Sequence, residues 1–240
     1  MSALVIQGLS KRFAGLQAVK AVSFDVPDKS IVALIGPNGA GKTTTFNLIA
    51  GAIRRDEGSV TLDGRRIDGM SAHDICHAGV ARTFQLVRPF GELNVEDNVL
   101  VGCLHAEHDV ARARQRAELI LRRLGLHTQR KRLASSLTLP DRKRLEVARA
   151  LGTEPKVLLL DEVMAGLRPT ETDQMVEFFR EINRELGVTI LLIEHVMRAV
   201  MALAQKVVVL NYGQKIAEGL PQDVVRDKAV LECYLGEEAI

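Results

Sequence analysis

Gly36-Pro37-Asn38-Gly39-Ala40-Gly41-Lys42-Thr43-Thr44 follows the apolar run Ile31-Val32-Ala33-Leu34-Ile35. The nine residues fit the spacing G-x-x-x-x-G-K-[ST], and their place after an apolar run makes them a phosphate cradle at the end of a strand. Glycines let the backbone curl so that several N–H groups point inward, and a helix beginning near Lys42 adds its positive dipole end. Lys42 is then placed to reach β- and γ-phosphates, and the Thr43 hydroxyl to ligate Mg²⁺. Binding of a nucleoside triphosphate is the working premise. A glycine-rich turn with no ligand is the competing reading.

Working outward, 240 residues with 47% hydrophobic and 26% charged content suit one globular domain with a subdomain. No apolar run approaches the roughly 18 residues that span a bilayer, and the N-terminus lacks a basic-then-apolar leader. A cytoplasmic location is therefore expected. Cys76, Cys103 and Cys233 are far apart and read as reduced thiols. A net charge of +2 gives no case for nucleic acid. The basic cluster Arg122, Arg123, Arg130, Lys131 and Arg132 reads as a solvated helical face.

Upstream of the cradle, Leu4-Val5-Ile6 and Ala21 to Val26 read as strands of a small antiparallel sheet. Phe13 suits either the core or stacking against a base. Downstream, a helix from Lys42 to about Ala50 leads to a strand over Ser59 to Gly64. Ser71 with Asp74 forms a capping-box pattern for a helix over 72–78 ended by Gly79. Val80 to Gln85 reads as a strand, followed by an apolar loop, Leu86 to Phe90. From Asn94 to about Leu151 the pattern is helical, closing with a helix whose first turn holds Pro140 and Asp141. Val157-Leu158-Leu159-Leu160 reads as a central parallel strand, with Asp161 and Glu162 at its carboxyl end, where ligands sit in an open α/β sheet. Beside a phosphate cradle, Asp161 suits a Mg²⁺ shell and Glu162 the attacking water. After a helix from Pro169 to about Leu186, the strand Val188 to Ile193 ends in Glu194-His195, placing a histidine next to the inferred site. A closing hairpin over 207–217 and two short helices complete the chain.

These ordered motifs together resemble the ATP-binding subunit of an ABC transporter over essentially the whole chain. The resemblance implies a P-loop NTPase parallel core sheet with an N-terminal antiparallel β subdomain and an α-helical insertion. It divides a single domain, 1–240, into a RecA-like core with its β subdomain (1–93 and 152–240) and a helical subdomain (94–151). It places Phe13 against adenine, Gln85 on Mg²⁺ and the attacking water, Asp161 and Glu162 as the Walker B pair, Ala165 to Pro169 in the D-loop, and His195 as the switch histidine. The wording of Gly15 to Val19, Thr83 to Arg88, Arg144 to Arg149 and Tyr234 to Glu237 resembles the branched-chain amino acid importer class. The implied partners are a second ATPase subunit, two permease subunits contacting loop 86–97, and indirectly an extracytoplasmic solute-binding protein. The implied location is peripheral, at the cytoplasmic membrane face. A soluble ABC-type switch and a subunit that mainly binds ATP are the alternatives.

Departures from the family pattern are Val163, where proline is usual, Arg168 in the D-loop, and the signature Leu-Ser-Gly-Gly-Gln, which aligns with Leu137-Thr138-Leu139-Pro140-Asp141. Thr138 keeps a hydroxyl for a γ-phosphate, but Pro140 has no N–H and Asp141 brings negative charge. One lost charge-assisted hydrogen bond costs about 1.5–3 kcal/mol, one to two powers of ten in affinity. The site built on this loop is expected to be weak, which favours a heterodimer with an intact partner. Pro140→Gly with Asp141→Gln is expected to raise the ATPase rate of the purified chain. A rate unchanged by the pair would show that the loop works as it stands.

Overall fold

The structure is a computed structural model, and it describes residues 2–84 and 89–235. The candidate Gln85 therefore lies outside the described residues. In chain order the strands and helices are β1 (Ser2–Phe13), β2 (Leu16–Pro27), β3 (Ile31–Ile35), α1 (Lys42–Ile49), β4 (Glu57–Leu62), β5 (Arg65–Arg66), α2 (Ala72–Ala78) and β6 (Val80–Arg82). Next come α3 (Val95–Cys103), α4 (Val110–Arg123), α5 (Leu139–Gly152), β7 (Val157–Asp161), α6 (Pro169–Leu186), β8 (Thr189–Ile193) and α7 (Met197–Leu203). The chain closes with β9 (Lys206–Asn211), β10 (Gln214–Gly219), α8 (Pro221–Val224) and α9 (Lys228–Leu235).

Two sheets form. The first is antiparallel in the order β2-β1-β4-β5, and the second runs β10-β9-β3-β8-β7-β6, parallel from β9 to β6 with β10 antiparallel at one edge. The uninterrupted apolar runs of β3, β7 and β8 follow from burial on both faces. In β3, Val32 and Leu34 face the first sheet and α1 with Phe46, whereas Ile31, Ala33 and Ile35 join the side of α6. That second cluster continues without a break into the helical segment through Val95, Leu121 and Leu145.

The expected α/β architecture is present, with differences in extent. β2 begins at Leu16, well before Ala21, because Ala14 adopts a positive φ of 47° and turns the chain so that Leu16 pairs with Phe13. At its other end the strand closes at Pro27, opposite Ser2, within one residue of the expected end at Val26. β6 stops at Arg82, short of the expected Gln85. α7 was not legible in the sequence: no side chain caps its start, and its apolar residues bury Ala199, Val200 and Leu203. Ser71 does cap α2, accepting the Asp74 N–H, and Gly79 closes it in the left-handed region.

Phe179 of α6 is fully buried, its ring 5.2 Å from that of Phe178 in an edge-to-face contact. Phe179→Ala is expected to cost about 3–5 kcal/mol in urea unfolding. A loss under about 1 kcal/mol would show that the space beneath α6 collapses freely.

Candidate functional site

The sequence places the cradle between β3 and α1, and tertiary contacts set its shape. A Cβ at Gly36 would lie 2.0 Å from the Leu210 carbonyl oxygen of β9, and one at Gly41 would lie 2.4 Å from the Ala18 oxygen of β2. Only glycine permits both approaches, and both residues also hold positive φ, 145° and 96°. Gly213 N–H donates to the Ala40 carbonyl, and Lys20 N–H donates to the Gly213 carbonyl. The loop is thus laced to a β-hairpin on one side and to the antiparallel sheet on the other. Within it, Pro37 is buried while Asn38 and Gly39 are exposed. Lys42 is buried, and its Nζ donates to the Gly36 carbonyl at 2.7 Å and the Pro37 carbonyl at 2.8 Å. The ammonium is therefore held against the carbonyls that open the loop. Thr43 is exposed at the first turn of α1 and Thr44 is half-buried.

A cavity of about 490 Å³ opens over Asn38 to Thr44, with Glu162 on its wall. The same cavity is also lined by Phe13, Leu16 and Tyr212, which are 45%, 69% and 84% exposed. This apolar shelf gives a planar base a surface. Phe13 was expected there from the resemblance, whereas Leu16 and Tyr212 were not anticipated. Tyr212 reaches the site from the β9–β10 turn, and no local sequence signal marks it.

Asp161 ends β7 almost fully buried. Its Oδ2 accepts a hydrogen bond from Arg82 Nη2 at 2.8 Å, and its Oδ1 is buried with no partner among the described residues. Burial pushes its carboxyl above the usual range, and the Arg82 hydrogen bond opposes that rise. The orphaned oxygen is an empty acceptor beside a phosphate cradle, which suits a hard cation. Among the described residues no cluster of three or more His, Cys, Asp or Glu could hold a metal by itself. An acid, a hydroxyl and nucleotide phosphates together still fit Mg²⁺, which is rarely caged by protein alone. Glu162 takes φ of 49°, a sparsely populated region for a non-glycine residue, and is fixed there by its N–H donating to the Ile193 carbonyl at 2.9 Å.

Three further charged groups surround these carboxylates, and sequence reasoning missed their role. Lys143 of α5 is buried, and its Nζ donates to the Glu162 carbonyl at 3.4 Å. Burial pulls its ammonium below the usual range, while Glu194, Glu146 and Glu162 pull the other way. Glu194 is buried at the end of β8, its Oε1 accepting the Met164 N–H at 2.8 Å, and burial raises its carboxyl. Glu146 is also buried and raised by burial, and accepts the Phe84 N–H at 2.7 Å. His195 follows Glu194 and is exposed. It is absent from the residues lining the cavity.

Thr138 caps α5, with its hydroxyl donating to Asp141 Oδ2 at 2.9 Å and accepting the Asp141 N–H. Gln129 Nε2 donates to the same carboxylate oxygen. Asp141 thus has a local duty at the helix start, and the Thr138 hydroxyl is engaged within its own chain. The spacing Thr-x-x-Asp signals this capping in sequence. Pro140 occupies the first turn of α5 and leaves one N–H fewer at its exposed N-terminus.

Comparison with known proteins matches residues 19–165 to the family described as ABC transporter, and residues 214–240 to one described as branched-chain amino acid ATP-binding cassette transporter. The chain is 40% identical over 98% of both chains to the high-affinity branched-chain amino acid transport ATP-binding protein LivG of Salmonella typhimurium. It is 38% identical, with the same coverage, to the corresponding protein BraF of Pseudomonas aeruginosa. A crystal structure of the ADP conformation of MJ1267, an ATP-binding cassette of an ABC transporter, superposes with a TM-score of 0.90 at 31% identity. That superposition covers 98% of this chain and 99% of the other.

Gly36→Ala is expected to weaken binding of a fluorescent ATP analogue by about tenfold to a hundredfold, since the loop must yield to the Leu210 carbonyl at a cost of about 1–3 kcal/mol. Near wild-type affinity would show that the cradle relaxes without loss.

Proposed function

From the premise that the chain belongs to the ABC transporter family of ATP-binding cassettes, we propose that it binds and hydrolyses ATP to power a membrane importer for branched-chain or related amino acids or amides. The orphaned, buried Asp161 oxygen beside the phosphate cradle carries the catalytic part of this reading. The cargo class rests on the C-terminal family match and on what LivG and BraF are named for.

In this reading the adenine lies on the shelf of Phe13, Leu16 and Tyr212, and the N–H groups of Gly39 to Thr44 bind the phosphates. Lys42 exchanges its two carbonyl acceptors for β- and γ-phosphate oxygens. Thr43 and Asp161 hold Mg²⁺, with Gln85 as a further ligand, and the ion supplies charge neutralisation at the transferred phosphoryl group. Glu162 orients water for in-line attack on the γ-phosphorus and takes its proton as the bond to the ADP oxygen breaks. The strained backbone at Glu162 and the Lys143 ammonium against its carbonyl hold that carboxylate in place. His195 is assigned to sense the γ-phosphate from the end of β8.

A second ATPase subunit completes each site, presenting its signature loop to the ATP held on these Walker motifs. The loop of this chain, with Pro140 and the engaged Thr138 hydroxyl, serves the other ATP and is the weaker of the two. The segment 86–97 takes the permease subunits, at the membrane face. Its described part is pinned by Asn98, fully buried, whose Oδ1 accepts the Phe90 N–H and whose Nδ2 donates to the Phe90 and Asn94 carbonyls. No described helix is long and apolar enough to cross a membrane.

Lys42→Ala is expected to abolish ATP binding in equilibrium titrations. Glu162→Gln is expected to keep binding within the wild-type range while phosphate release falls by about a hundredfold or more. Normal turnover by Glu162→Gln would remove Glu162 from the role of general base.

A further inference from the structure

Arg82, the last residue of β6, belongs to two places at once. Its Nη1 donates to Asn47 Oδ1 of α1 at 2.5 Å, and its Nη2 donates to Asp161 Oδ2. The guanidinium carbon also sits 5.4 Å from the ring centroid of Phe84, within cation–π range. Its Nε is buried with no partner among the described residues. The side chain is only 11% exposed. Arg82 and Phe84 also line a largely apolar groove of about 390 Å³ with Phe90, Glu146 and Arg149, none of which lines the cavity over the cradle. One side chain thus touches a carboxylate of the nucleotide site and an aromatic wall of a separate groove. Phe84 itself is 56% exposed.

We propose that Arg82 is a positioning residue that transmits the engagement of Asp161 to the groove wall at Phe84. The inference rests on the reading of Asp161 as a magnesium ligand. A divalent cation at Oδ1 and the guanidinium at Oδ2 are like charges on one buried carboxylate, so each weakens the other's hold on it. As Mg²⁺ with nucleotide engages Asp161, the hold of Arg82 on Oδ2 weakens. Asn47 keeps one end of the guanidinium anchored, so the free end swings rather than leaving. On the groove side Phe84 offers its ring, and Glu146, already bonded to the Phe84 N–H, offers a buried carboxylate. Occupancy of the nucleotide site therefore alters the orientation of Phe84 through one side chain, at the face next to the segment assigned to the permease.

The sequence contains no tryptophan, so Phe84→Trp provides a single fluorescent reporter at an exposed position. The protein is saturated with a non-hydrolysable ATP analogue in EDTA, and Mg²⁺ is then added. With Arg82 intact, the emission maximum is expected to shift on Mg²⁺ addition. In the Arg82→Met background, analogue affinity is expected to change by less than about tenfold while the shift disappears. An equal shift with Arg82→Met, or no shift with Arg82 intact, overturns the proposal. If Arg82→Met does not fold, Arg82→Lys carries the test. Lysine keeps a charge but cannot bridge Asn47, Asp161 and the ring together, so a full shift there also overturns the proposal. Failure of the analogue to bind the reporter protein at all, with or without Mg²⁺, would instead sink the nucleotide reading on which the inference stands.

Discussion

Leu210 and Ala18 present carbonyl oxygens 2.0 and 2.4 Å from the points where side chains at positions 36 and 41 would begin. Those two approaches fix the phosphate loop between the β9–β10 hairpin and the antiparallel sheet. Because Ala18 lies in β2 and Leu210 in β9, the loop is shaped by strands from opposite ends of the chain. Such close packing leaves the loop little room to rearrange, and N–H groups held in place need little reorganisation when phosphate arrives. The same closeness brings Phe13, Leu16, Tyr212 and Glu162 to one cavity with the loop.

The carboxyl ends of β7 and β8 gather buried charge that would be costly if unbalanced. Asp161 is offset by Arg82, and Lys143 lies among Glu194, Glu146 and Glu162. The balance is incomplete: Asp161 Oδ1 and Glu194 Oε2 are buried without partners among the described residues. Buried carboxylate oxygens of this kind are acceptors that suit a hard cation. Lys143 further ties this edge to α5, whose N-terminus carries Thr138, Pro140 and Asp141. The helical segment is therefore joined to this strand edge by a polar contact as well as through its continuous apolar core.

Sequence by itself determined the elements whose signals are local. The cradle was legible because glycine spacing and an adjacent lysine are read within nine residues, and β3, β7 and β8 because continuous apolar runs mean burial on both faces. The cap at Ser71 and the start of α5 were likewise local, and Thr138 with Asp141 carried a capping pattern. That pattern explains why the Thr138 hydroxyl is turned inward to its own helix.

Only the tertiary structure decided which charges meet. Arg82 and Asp161 are 79 positions apart, and Arg82 in sequence is an ordinary residue at the end of a short strand. Lys143 looks like one of several basic residues on an amphipathic helix until the fold buries it against Glu162. Tyr212 joins the cavity because the β9–β10 turn is laid against the phosphate loop by the Gly213 and Ala40 hydrogen bond. The physical reason is the same in each case. Backbone geometry and burial periodicity are written within a few residues, whereas electrostatic pairing depends on which strand ends the sheet order brings together.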